Sequence, residues 1–266
     1  MNNCRYALSG AAPISPELIN WYLSLGIDMR EGWGMTETAG VGTAFYSREI
    51  KLGHVGRAVN DSEVRIAQDG EILFRGPGVF CGYLNKPEQT KETLIDGWLH
   101  TGDVGEIDNY GNLKITDRKK DIIITAGGKN ISPSEIENEL KFSPFISDAV
   151  VIGDKRKFLS CLIMIDEENV MKHAQDNDIP FSNFESLCKS EEIVSLIDDE
   201  VNKVNKKFAS VEQVKKFSLI DIQLTAEDDE LTPTMKLKRK FINQKYGDII
   251  ESMYPVSYTH LRAHET

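Results

Sequence analysis

Apolar and polar positions alternate with different periods in three successive stretches of the chain. In the first, Ser15 precedes Pro16-Glu17-Leu18-Ile19-Asn20-Trp21-Tyr22-Leu23, which predicts a helix with Pro in its opening turn. A short strand, Ile27 to Arg30, then feeds a Gly-rich run. From Gly56 to Thr116 the period falls to two. Val64-Arg65-Ile66 and Ile72-Leu73-Phe74 flank Asp69-Gly70, and Gly105-Glu106-Ile107 and Leu113-Lys114-Ile115 flank Asp108 to Asn112. Both patterns are hairpins, with a short helix starting at Lys86-Pro87 between them. Short strands joined by turns predict a small antiparallel barrel or bent sheet.

Past Lys120 the pattern becomes α+β. Ile122-Ile123-Ile124 reads as a strand broken by Gly127-Gly128. Ser132-Pro133-Ser134-Glu135 then predicts a helix opened by a capping box, with Ile136 and Leu140 on one face. Ala149 to Ile152 and Leu159 to Ile165 read as paired strands. After Ser190, Ile193, Leu196, Ile197, Val201, Val204 and Phe208 recur at helical spacing, a core stripe. A last helix starts near Lys238.

Composition narrows the function classes. Of 266 residues, 40% are hydrophobic and 27% charged, the profile of a globular protein rather than a disordered one. A net charge of −11 argues against a nucleic-acid surface, which needs a basic excess, but leaves room for a local cationic pocket. The longest apolar run, Phe158 to Ile165, is interrupted by Ser160 and is too short to cross a bilayer. Cys4, Cys81, Cys161 and Cys188 lack CxxC spacing and read as reduced thiols in a cytoplasmic protein. The last twelve residues, 255–266, do not continue the pattern before them; we expect a non-native tail, and the spacing of His260 and His264 alone makes no metal site.

The candidate chemistry starts at Glu31-Gly32-Trp33-Gly34-Met35-Thr36-Glu37-Thr38. Gly34 lets the main chain approach a ligand, Trp33 offers a flat ring, Thr36 a hydroxyl for a phosphate oxygen and Glu37 a hard oxygen ligand for Mg²⁺. Read alone, the run is better taken as a polar Gly-rich loop. It resembles the Y-G-x-T-E motif of the adenylate-forming superfamily, with Trp33 where many members carry Tyr. Further segments resemble that family's motifs in the same order: Ser9-Gly10-Ala11-Ala12-Pro13, Gly82-Tyr83-Leu84-Asn85-Lys86-Pro87, Trp98-Leu99-His100-Thr101-Gly102-Asp103, Asp117-Arg118-Lys119-Lys120 with Gly127-Gly128, and Leu231-Thr232-Pro233-Thr234-Met235-Lys236. The wording of the last two is most similar to long-chain fatty acyl-CoA synthetases, including the bubblegum type.

The resemblance implies an α/β and α+β architecture. Residues 1–119 would close a large AMP-binding domain, as a sheet remnant (1–55) and a small β barrel (56–119). Residues 120–254 would form a mobile C-terminal lid. It implies ATP, Mg²⁺, CoA and a long-chain fatty acid as reactants. Gly10, Ala11, Ala12, Trp33, Gly34, Thr36, Asp103 and Arg118 would then bind nucleotide, with Thr36, Glu37 and Lys236 catalytic and Glu37 on the metal. Lys120 would be the hinge, and Gly127 and Gly128 would line the CoA channel. Read without the resemblance, Lys236 is a solvated lysine in a basic run, Asp103 a turn or cap residue, and Gly127-Gly128 a hairpin turn. The family's phosphate loop has no counterpart here, so the resemblance implies a C-terminal portion of a longer enzyme, inactive alone, whose missing N-terminal region completes the site. Transfer of the acyl group to a carrier protein, or a non-catalytic lid fragment, are the competing expectations. Contact with a membrane surface is compatible with a fatty substrate, although no amphipathic anchor stands out.

Overall fold

The computed structural model describes residues 4–47, 50–221 and 238–254. Lys236 and the 255–266 tail lie outside the described residues. The chain divides into two compact units, 1–122 and 123–266.

Unit 1 opens with a parallel βαβ element. β1 (Ala7–Ser9) and β2 (Met29–Glu31) pair in parallel across α1 (Pro16–Ser24), whose N-cap Ser15 accepts from the Leu18 amide. The strand expected at Ile27 to Arg30 is thus shifted toward the Gly-rich run. A single 3₁₀ turn, Thr36–Thr38, follows, then β3 (Thr43–Ala44) pairs with β4 (Arg57–Ala58).

The remainder of unit 1 is one antiparallel sheet. β5 (Glu63–Ile66) and β6 (Glu71–Arg75) form the hairpin predicted at Asp69-Gly70, where Gly70 has φ +86. After α2 (Pro87–Thr93) and β7 (Leu94–Ile95) comes the long β8 (Trp98–Ile107), which pairs with β6 and β7, and with β9 (Leu113–Arg118) further along. The strand order is β5-β6-β8-β7, with β9 added on β8. The expected barrel is therefore an open, bent sheet: among the described residues no pairing joins its outer strands. Trp33, Val55, Ile72, Phe74, Leu99 and Leu113 make its core. Register explains the bend, because Glu71 pairs Val104 while Leu73 pairs His100. Two steps along β6 thus face four along β8, and Thr101 to Asp103 form a bulge.

Unit 2 begins with the small hairpin of β10 (Ile123–Ile124) and β11 (Asn130–Ile131), then α3 (Pro133–Leu140). Ser132 sits at the α3 N-cap with Pro133 in the first turn, but its side chain makes no capping bond, so the predicted capping box is not formed. With Pro fixing the first-turn geometry, the helix starts without it.

β12 (Ile146–Ile152) and β13 (Leu159–Ile165) are antiparallel as predicted. Three further elements went unread in the sequence: α4 (Glu167–Asp176), α5 (Phe184–Cys188) and, after α6 (Glu191–Asn205), β14 (Val214–Ile220) parallel to β13. Two helices follow, α7 (Arg239–Lys245) and α8 (Gly247–Met253). All seven β13 side chains are buried because both faces of the sheet are covered. Ala149, Val151, Cys161 and Ile163 face the cluster built with α3 and α6. Val150, Ile152, Leu162 and Met164 face Ile242, Tyr246, Ile250 and Met253 of α7 and α8.

β12 is an edge strand, and its exposed backbone is occupied by side chains. The Val151 amide donates to Glu137 Oε1 at 2.7 Å, and Arg239 Nη1 donates to the Val151 carbonyl at 3.2 Å. Arg239 Nη2 closes the arrangement on Glu137 Oε2 at 2.5 Å. This blunts the strand edge and ties α3 to the start of α7, three residues beyond Lys236.

Candidate functional site

β1 and β2 end side by side, so the residues after them share one end of the small sheet. Ser9 pairs Glu31, and the Gly32 amide donates to the Ser9 carbonyl. A side chain on Gly10 would stand 3.0 Å from the Gly32 carbonyl oxygen. Gly10, Ala11 and Ala12 are exposed at this end, with Ala11 at φ +67, and Glu31 Oε1 accepts from the Ile14 amide at 3.3 Å. Glu31 is only 8% exposed, and burial pushes its carboxyl up to about 7 against the pull of the Ile14 amide.

The Gly-rich run then folds on itself. Trp33 pairs with Thr43, and a Cβ on Gly34 would lie 2.2 Å from the Gly40 carbonyl oxygen, so only glycine fits there. The closed loop presents Thr36, exposed, and Glu37, half-buried. Glu37 is held twice: its carbonyl accepts from the Phe80 amide at 2.9 Å, and Tyr83 Oη donates to its Oε1 at 2.7 Å. Burial, followed by this bond to a carboxylate, raises the Tyr83 hydroxyl above its usual pKa. The Gly82-Tyr83 segment thus has a tangible task, orienting the Glu37 carboxylate.

Trp33 departs from expectation. Its ring is 7% exposed, packs edge-on to Phe74 and fits against Gly42, so it has almost no open face for stacking. Its polar edge matters instead, because Nε1 donates to Asp103 Oδ2 at 2.8 Å. The other Asp103 oxygen is 3.2 Å from Arg118 Nε, its cross-strand neighbour on β9. Asp103 is 5% exposed while Arg118 is exposed. The indole and the guanidinium together fix the plane of the Asp103 carboxylate.

Unit 1 therefore brings Trp33, Asp103 and Arg118 into contact, with Thr36 and Glu37 three and four residues beyond the indole. Lys120, exposed, follows the last residue tied to β8, since the Lys119 amide donates to the Gly102 carbonyl at 2.8 Å. In unit 2, Gly127 and Gly128 are exposed at the β10–β11 turn. Thr125 and Lys129 bond across it, Gly128 has φ +76, and no atom lies within 4 Å of a Cβ there. Sequence reasoning missed Tyr83 as a partner of Glu37 and Glu71 as a partner of Gly102. The Glu71 signal was a carboxylate at the second strand of a hairpin, which alone says nothing about what it bonds.

No group of three or more His, Cys, Asp or Glu able to hold a metal is found among the described residues. Glu37 fits a Mg²⁺ only as one ligand in a set completed by phosphate oxygens and water, the usual manner for this ion. No helix of the described residues is long and apolar enough to cross a membrane.

The fold is that of the adenylate-forming enzymes. Residues 1–84 match the AMP-binding enzymes and residues 120–257 the AMP-binding enzyme C-terminal domain. The chain belongs to the AMP-binding enzyme family. It is 40% identical over 253 residues to long-chain-fatty-acid–CoA ligase FadD15 of Mycobacterium bovis, covering 95% of this chain and 42% of that one. It is 35% identical over 278 residues to long-chain-fatty-acid–CoA ligase ACSBG2 of Gallus gallus, covering 96% of this chain and 36% of that one. The chain thus spans roughly two fifths of the length of these relatives. Among solved structures, O-succinylbenzoate Coenzyme A synthetase from Bacillus subtilis in complex with AMP superposes with a TM-score of 0.68. That match has 27% identity, over 90% of this chain and 46% of that one. The adenylation domain of a carboxylate reductase from Mycobacterium chelonae gives 0.73 at 25% identity, over 93% and 38%.

Proposed function

We propose that the protein carrying this chain is an ATP-dependent, AMP-forming long-chain fatty acid–CoA ligase. The observation that carries the reading is the Asp103 carboxylate, buried yet aligned by Trp33 Nε1 and Arg118 Nε, within the same unit as the Thr36-Glu37 turn. The names of the relatives support the substrate class.

In the first half-reaction a fatty carboxylate oxygen attacks the α-phosphorus of ATP, and pyrophosphate leaves. In the second, the CoA thiol attacks the acyl carbonyl, loses its proton, and AMP leaves. Asp103 accepts from the ribose hydroxyls, the exposed Gly10, Ala11 and Ala12 border the nucleotide at the strand end, and Gly34 serves it indirectly by letting the loop close on Gly40. Thr36 donates to a phosphate oxygen. Glu37, oriented by Tyr83, would supply one oxygen ligand to Mg²⁺, which when bound would offset phosphate charge. Phosphoryl chemistry of this kind is catalysed mainly by placement and charge neutralisation. Lys236 answers the charge developing on the carboxylate and α-phosphate, while Lys120 serves as hinge and Gly127-Gly128 as the CoA passage.

The test uses the full-length protein with ATP, palmitate and CoA. Palmitate-dependent pyrophosphate exchange and palmitoyl-CoA formation are expected. Lys236→Ala is expected to abolish exchange yet spare thioester formation from supplied palmitoyl adenylate. Equal loss in both half-reactions rejects that division of roles, and acyl transfer only to a carrier phosphopantetheine rejects CoA as acceptor.

A further inference from the structure

At the β8 bulge Asp103 leaves the ladder with β6 while still pairing Arg118 on β9, so on the β6 side something other than backbone pairing holds the bulge. Glu71, the first residue of β6, does so. Its side chain is 7% exposed; Oε1 accepts from the Gly102 amide at 3.0 Å, and Oε2 lies 3.1 Å from both His100 Nδ1 and Lys119 Nζ. Lys119 Nζ also reaches Asp69 Oδ2 at 2.7 Å, and the Lys119 amide donates to the Gly102 carbonyl. Gly102 is therefore held through both its N–H and its C=O. Gly102 has φ +71, a conformation that the bulge requires and that a free strand would not keep. Thr101 contributes a further tie through Oγ1 to the Ile72 carbonyl at 2.7 Å. Burial alone would lift the Glu71 carboxyl, but His100, Lys119 and the Gly102 amide together bring it below the ordinary glutamate range, so it acts as an anion.

We propose that Glu71 is a positioning residue for nucleotide recognition: its carboxylate fixes the Thr101–Asp103 bulge so that Asp103 is presented to the ribose, with Lys119 clamping the strand that leads to Lys120 onto the same glycine. This rests on the reading of Asp103 as the ribose acceptor. Glu71 touches no reactant; it acts through the backbone of Gly102. Without the anion the Gly102 amide and the Lys119 ammonium lose a shared partner. The bulge can then relax toward regular pairing, which turns the Asp103 side chain away from its place.

The experiment measures pyrophosphate exchange by the full-length protein with ATP and with 2′,3′-dideoxy-ATP, and palmitoyl-CoA formation for the CoA dependence, comparing wild type, Asp103→Ala, Glu71→Ala, Glu71→Gln and the double variant. Far-UV circular dichroism confirms folding, and Glu71→Gln, which keeps an acceptor for Gly102, serves where Glu71→Ala does not fold. Glu71→Ala is expected to raise KM for ATP about tenfold or more, as loss of a buried charged hydrogen bond does. KM for CoA should stay within about twofold, and preference for ATP over the dideoxy analogue should shrink toward that of Asp103→Ala. Glu71→Gln should recover part of the loss, and the double variant should be little worse than Asp103→Ala alone. If Asp103→Ala erases the ribose preference while Glu71→Ala and Glu71→Gln retain it, the positioning role is overturned and the ribose assignment stands. If Asp103→Ala itself leaves the preference intact, the ribose assignment fails and takes the positioning role with it.

Discussion

Replacing Arg239 with alanine tests how unit 2 is held together at the point where α7 begins. The substitution removes the bonds from Nη2 to Glu137 and from Nη1 to the Val151 carbonyl, and leaves Glu137, 8% exposed, as a buried anion without its guanidinium. Breaking one side of a buried ion pair costs about 3–5 kcal/mol, far above the ~0–1 kcal/mol of an exposed pair. At roughly 3 °C per kcal/mol for a unit of this size, the calorimetric Tm of unit 2 should fall by about 10–15 °C.

The pH dependence gives a sharper check. Burial pushes the Glu137 carboxyl above its ordinary value of 4.5, with Arg239 and the Val151 amide pulling against it. Without Arg239 it rises further. A carboxyl whose folded pKa is raised favours folding below its unfolded pKa, and that contribution is lost as pH climbs through the folded pKa. The gap between wild type and Arg239→Ala should therefore be small near pH 4 and widen toward pH 8. Adding Glu137→Gln, which keeps an acceptor for the Val151 amide but carries no charge, should return most of the lost stability at pH 8. A Tm loss under about 3 °C, or one unchanged between pH 4 and 8, would refute a stabilising role for the Glu137–Arg239 pair.

Other perturbations separate packing from chemistry. Glu31→Gln should stabilise unit 1 at pH 8 by up to about 3 kcal/mol and have little effect near pH 4, because a carboxyl held at about 7 disfavours the folded state once ionised; denaturant unfolding at the two pH values reads it. Gly42→Ala places a Cβ 2.6 Å from the Trp33 ring, so it should cost about 1–3 kcal/mol and weaken ATP binding by displacing the indole from Asp103. At the β10–β11 turn, Gly128→Ala should cost about 1 kcal/mol through its positive φ alone. Gly127→Ala should leave Tm unchanged and raise KM for CoA in the full-length enzyme; an unchanged KM removes this turn from the CoA path.

Elements with a strong local cause were legible in the chain. Ser15-Pro16, Asp69-Gly70, the alternation on either side of Asp108 to Asn112, and the Ile193 to Val204 stripe each fix their structure from neighbours a few residues away. β14 was not legible, because Val214 to Ile220 becomes a strand by lying parallel to β13, and its burial pattern is imposed by that partner. The capping box at Ser132 was readable but not used, since Pro133 already sets the first turn. The motif order at Gly10, Thr36, Asp103 and Gly127-Gly128 was enough to point to AMP-binding chemistry.

What the sequence determined by itself was the set of chemical groups and the local turns that carry them. Tertiary structure alone decided which groups meet: Trp33 with Asp103 across seventy residues, Tyr83 with Glu37 across forty-six, and Glu137 with Arg239 across 102. It also turned the expected barrel into an open sheet and the expected stacking ring into a buried hydrogen-bond donor. The reason is that turns and helix starts depend on backbone torsions and near neighbours. A carboxylate's partner, by contrast, depends on which strands pair and in what register, and a shift of two residues between β6 and β8 is what places Asp103 where it is.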